Sequence, residues 1–123
     1  MLPATLANEA YRRVELDARI EAARAEDLSR ICIEEAVGAL DQALIALKRT
    51  PASVPSQALS RAHTIALYLG RSVGADHPLR AALLQFYGGL AATLAHNLAR
   101  PSYGEIAQVR RDFSDLLEAA AAA

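Results

Sequence analysis

The sequence predicts an all-α protein, an antiparallel up-down four-helix bundle with a short, loosely attached N-terminal helix. Three observations predict it. Apolar residues make up 53% of the chain and aromatics only 5%, a balance poor in strand formers. Apolar positions recur every third or fourth residue instead of alternating, which is the helical period. Breaks rich in Pro and Gly, "TPASVPS", "GADHP" and "ARPSYGEI", cut the chain into pieces of helix length. With 123 residues there is room for one domain. It is read as 1–123, with 1–25 an N-terminal segment and 26–119 the bundle.

The N-terminal segment is the least regular. Ala7, Tyr11, Val14 and Ala18 make a weak stripe crowded by Arg12, Arg13, Glu15 and Asp17. From Glu26 to Arg49 the pattern sharpens. Ile33, Val37, Leu40, Leu44 and Leu47 fall on one stripe, with Glu34, Asp41 and Lys48 opposite. Pro51 and Pro55 end that helix, because proline lacks an amide proton and bars its predecessor from the helical region. The next helix buries Leu59, Ala62, Ala66, Leu69 and Val73. Gly74 is placed to close it and Asp76 to cap the one after. Ser102 and Glu105 stand at capping-box spacing before a last helix whose stripe is Ile106, Val109, Phe113 and Leu116. Its wet side holds Arg110, Arg111, Asp112 and Asp115, and the alanine run after Glu118 is expected to fray.

Charge and cysteine usage narrow the function classes. A net charge of -1 with a pI near 6.3 leaves no polybasic footprint for nucleic acid or anionic lipid. Cys32, the single cysteine, forms no internal disulfide and has no metal-ligand spacing, which fits a reducing, cytoplasmic location. The start "MLPATLANEAYRRVELD" lacks the basic-then-apolar order of a secretory signal.

One segment breaks the amphipathic rule. "AALLQFYGGLAATLAHNLA", residues 81 to 99, contains no Asp, Glu, Lys or Arg. Gln85, His96, Asn97 and the paired glycines argue against a membrane span, as does the absence of an aromatic belt. As a bundle helix it has an ordinary core stripe of Leu83, Tyr87, Leu90, Leu94 and Leu98. The other side, Ala81, Gln85, Gly88, Ala92, His96 and Ala99, is small or uncharged, where a bundle helix normally carries charge. Gly88 and Gly89 each weaken a helix interior by about 1 kcal/mol relative to Ala. Such a face is covered either by neighbouring helices or by a second chain.

No residues for catalysis or cofactor binding are visible. None of the eight glutamates has a histidine three residues on, the spacing of di-metal bundles. No phosphate-binding glycine loop, HExxH or nucleophile elbow is present. "RAHTIALYLGRSVGA" resembles the phosphoacceptor helix of histidine phosphotransfer domains, with His63 at the acceptor position. The family's Lys and Gly at the third and fourth following positions are Ala66 and Leu67 here, so the charged contact to phosphate is missing.

From about Ala10 to Ala119 the order of segments resembles the FliS-type flagellin export chaperones. The resemblance runs through "AY" at 10 and 11, "EDLSRICIEEAVGAL", "LSRAHTIALYL", "LLQFYGGLAATLAHNL" and "IAQVRRDFSDLLEA". Gly88 and Gly89 replace the family's Asp and second Tyr, "AARAED" replaces its Thr-x-x-Pro helix start, and the terminal Trp is absent. The resemblance implies a cytoplasmic, non-catalytic bundle that holds the disordered C-terminal segment of flagellin until export. It leaves open an export-gate component as a second partner. Helix-in-groove docking of an amphipathic client needs a matching uncharged surface. The expected lining is Leu84, Tyr87, Gly88, Ala91, Ala92 and Ala95, with Leu28 and Ile31 as a second wall. By the same similarity Tyr11 and the N-terminal segment cover part of the groove when no client is present. The alternatives are phosphotransfer through His63 and a homodimer formed through the same uncharged face; no metal, nucleic acid or membrane insertion is expected.

Overall fold

The computed structural model describes residues 9–16 and 25–122, which form helices and their connections, with no strand among them. The helices are α1 (9–16), α2 (Ala25–Arg49), α3 (Ser56–Ser72), α4 (Arg80–Ala99) and α5 (Tyr103–Ala122). The chain divides into two compact units, Met1–Ile31 and Cys32–Ala123, and the division falls within α2.

In the first unit α1 leaves Tyr11 77% and Val14 68% exposed, so the described half of the weak N-terminal stripe buries little. Ala7 and Ala18 lie outside the described residues. At the start of α2, Asp27 and Arg30 form an exposed ion pair of 3.6 Å one helical turn apart, worth at most about 1 kcal/mol.

The second unit is organised by the stripes that the periodicity predicts. Ile33, Leu40 and Leu47 from α2, Leu59, Ala62, Ala66 and Leu69 from α3, and Ile106, Val109 and Phe113 from α5 are buried in one cluster. Val37, Leu44, Val73 and Leu116 are half-buried against it. Much of this core is alanine, including Ala36, Ala43, Ala62 and Ala66 with no exposed area, so helices approach closely and a few large side chains fill what remains. At Gly70 an added Cβ would sit 3.8 Å from the Tyr87 Cβ, which marks the close approach of α3 to α4. α4 packs against both α3 and α5.

Ion pairs tie α2 to two of its neighbours. Arg61 of α3 reaches Glu35 at 3.4 Å, and Arg110 of α5 donates through Nε to Asp41 at 2.8 Å. The Arg61–Glu35 pair is mostly enclosed, and burial lowers the Arg61 pKa from its ordinary value. The Arg110–Asp41 pair is well exposed and contributes about 1 kcal/mol or less.

The helix ends depart from expectation in four places. Asp76 does not cap α4: the N-cap position is Leu79, and its amide donates to His77 Nδ1 at 3.0 Å. Gly74 does not close α3 in a left-handed conformation, since no described residue has positive φ; the Val73 amide closes the helix on the Gly70 carbonyl. The capping box at α5 is half made. Ser102 Oγ accepts the Glu105 amide at 3.3 Å, but the Ser102 amide donates to Asn97 Oδ1 at 2.6 Å and Glu105 turns to Asn97 Nδ2 at 3.1 Å. Finally, the alanine run stays helical to Ala122, as the highest helix propensity allows.

Cys32 is buried, and burial followed by the nearby Glu35 carboxylate pushes its thiol pKa up. Burial likewise raises the Tyr87 phenol. The folded state therefore holds protons that the unfolded chain releases at lower pH, so stability is full below the ordinary thiol value of about 8.5 and falls as pH rises through it. Denaturant midpoints measured from pH 7 to 10 should decline. Native Cys32 should also react with a thiol reagent at least about tenfold more slowly than in denaturant, because only the accessible thiolate attacks.

Candidate functional site

The helix that sets this protein apart is α4. Its inward side carries Tyr87, Leu90, Ala91, Leu94 and Asn97, all buried, with Leu83 and Leu98 half-buried beside them. Its outward side, Ala81, Gln85, Gly88, Ala92, His96 and Ala99, is exposed at every position. Leu84 and Ala95 extend the same open face. After Arg80 this 20-residue helix holds no Asp, Glu, Lys or Arg. Among the described residues no helix is long and apolar enough to cross a membrane.

The two glycines stand out on this face. An ideal Cβ built at Gly88 or at Gly89 meets nothing within 4 Å, so packing inside the chain does not require either glycine. Each still costs the helix about 1 kcal/mol relative to Ala. Thr93 Oγ1 donates back to the Gly89 carbonyl at 3.1 Å, which satisfies the hydroxyl along the helix.

The expected lining residues separate into two sets. Leu84, Gly88, Ala92 and Ala95 share the open face, with Leu84 37% exposed. Tyr87 and Ala91 belong to the core cluster on the helix's other side. Ile31 is buried and Leu28 half-buried, both in the first unit, where Tyr11 also lies.

Asn97 is a functional position of the fold that periodicity alone does not single out. It is the one buried polar side chain among the described residues, with no exposed area. Nδ2 donates to the Thr93 carbonyl at 2.8 Å and to Glu105 at 3.1 Å, while Oδ1 accepts the Ser102 amide. It thereby ties the last turn of α4 to the first turn of α5.

A second surface feature lies along the α4–α5 seam. Gln85, Phe86, Gly89, Leu90 and Thr93 face Glu105, Gln108, Val109 and Asp112 across an open groove of about 530 Å³. Phe86 stands 37% exposed at its edge, packed edge-on against the Tyr87 ring with centroids 5.9 Å apart. Its only trace in the sequence is the run of Glu105, Gln108 and Asp112 at three-four spacing on α5.

Among the described residues no three His, Cys, Asp or Glu side chains gather as metal ligands. His63 is half-buried on α3, with Ala66 buried and Leu67 45% exposed beside it. No protein-family model matches the chain, and no curated protein or solved structure does either.

Proposed function

We propose that this chain is a cytoplasmic, non-catalytic docking chaperone of the FliS type, and that the outward face of α4 receives an amphipathic segment of flagellin's C-terminal region. α2 to α5 form its antiparallel up-down four-helix bundle. The bundle reading is supported by the ion pairs joining α2 to α3 and to α5, together with the packing of α4 against both α3 and α5. The observation that carries the docking reading is the open face of α4, exposed and without Asp, Glu, Lys or Arg from Ala81 to Ala99. Water gains nothing from apolar small residues there, whereas an apolar helix laid on them buries area on both partners. Glycines with no internal neighbour allow that helix's backbone to approach closely.

The test is Gly88→Arg. Arginine is a better helix former than glycine by roughly 1 kcal/mol, and apart from the backbone of its own turns of helix its Cβ meets nothing within 4 Å. Circular dichroism should therefore be unchanged and the thermal midpoint equal or higher. Binding of a flagellin C-terminal peptide, read by calorimetry, should weaken at least about thirtyfold, the loss expected when a bulky cation is placed in the centre of an apolar contact. Unchanged affinity would remove the α4 face from the account. A charge-free face also accepts its own copy, so mass in solution is measured with and without peptide. A dimer that persists with peptide bound would assign the face to self-association.

A further inference from the structure

The α4–α5 groove differs from the other helix seams in how its charges are used. Glu35 and Asp41 stand on seams and are each paired with an arginine of the facing helix. Glu105 and Asp112 stand on the wall of an open groove, and among the described residues neither is in an ion pair. Glu105 accepts from the neutral Asn97 amide and Asp112 from the neutral Gln108 amide at 3.0 Å. Arg111, next to Asp112 in sequence, donates instead to the other end of the Gln108 amide at 2.7 Å. Leu90 and Val109 back the groove from the core, Phe86 is the apolar side chain exposed at its rim, and Gly89 leaves it unfilled.

We infer that this groove takes a cationic amphipathic peptide helix, with its apolar stripe packed on Phe86 and into the gap left at Gly89, and its Lys or Arg residues aligned on the carboxylates of Glu105 and Asp112. The two carboxylates lie seven residues apart on α5, two helical turns, so cations at the same spacing on a docked helix meet both. α4 supplies the opposite wall with no charge, which fixes the direction in which a charged flank must face. The inference rests on the docking reading above and adds to it a second contact surface and the sign of the client's charge.

The experiment uses the full chain and two fluorescent peptides. Both are idealised amphipathic helices with the same leucine and alanine stripe; one carries Lys along its flank, the other Glu. Fluorescence anisotropy at low salt should show the Lys peptide binding about fivefold or more tightly, the sum of two partly exposed ion pairs. The preference should shrink towards 1 M salt, where the screening length falls to about 3 Å. Asp112→Lys, which leaves one charge of each sign on the wall, should erase the preference, and adding Glu105→Lys should reverse it. Gly89→Leu fills the groove while improving helix propensity, so it should raise the thermal midpoint and abolish binding of both. Equal affinity of the two peptides, or undiminished binding to Gly89→Leu, would overturn the inference. If flagellin peptide binding remains sensitive to Gly88→Arg in that case, the docking reading stands without this groove; if it is insensitive as well, both fall.

Discussion

Phe113→Ala is expected to destabilise the protein by about 3–5 kcal/mol, the range for emptying a fully enclosed aromatic site. Phe113 is the largest side chain with no exposed area. The chain has only two phenylalanines and no tryptophan, and the other phenylalanine, Phe86, is 37% exposed. The cluster around Phe113 is rich in alanine, with Ala36, Ala43, Ala62 and Ala66 all fully buried. Alanine has no rotamer with which to fill a void, so relaxation is limited to backbone movement and the loss should fall in the upper half of the range. A domain of this size is stable by roughly 5–15 kcal/mol, so the variant should keep a third or more of its molecules unfolded only in the least stable case. Urea titration followed at 222 nm checks this; a loss below about 1.5 kcal/mol would mean that the site collapses and that the core is not held as described.

Asn97→Asp is expected to cost about 3 kcal/mol at neutral pH, although it changes one atom. The new oxygen replaces the Nδ2 that donates to the Thr93 carbonyl and to Glu105. It would set a carboxylate against a carbonyl and a second carboxylate at a site with no exposed area. Burial and like charge both raise a carboxyl pKa. The introduced group would thus hold its proton in the folded state above the ordinary value of about 3.9, and the variant should lose stability as pH rises through that value while the parent does not. Asn97→Leu serves as the comparison. It strands the Ser102 amide and Glu105 without adding charge, at about 1–3 kcal/mol, and its deficit should not depend on pH between 5 and 8. Equal, pH-independent losses in the two variants would mean that Asn97 acts by packing alone.

Much of the helical framework is legible in the residue order, because a helix and its buried stripe are local. Pro51, Pro55 and Pro101 and the apolar spacing from Ile33 to Leu47 predict α2 and the starts of α3 and α5 almost to the residue. Caps are less legible, since competing acceptors come from elsewhere in the chain. Asp76 has the chemistry to cap α4 but His77 Nδ1 takes the amide, and Glu105 has the spacing to complete a capping box but Asn97 from the preceding helix does so.

The sequence by itself determined that the protein is helical, roughly where the breaks between its helices fall, and that residues 81 to 99 lack the charged side that such a helix ordinarily has. Only the tertiary structure decided that this uncharged side lies open, that Tyr87 and Ala91 turn into the core while Gly88 and Ala92 turn out, and that Glu105 and Asp112 border a groove against α4. The physical reason is range. Hydrogen bonding and apolar period act over one or two turns and are written along the chain, whereas whether a face is covered depends on helices far away in sequence, whose approach is set by the packing of the whole core.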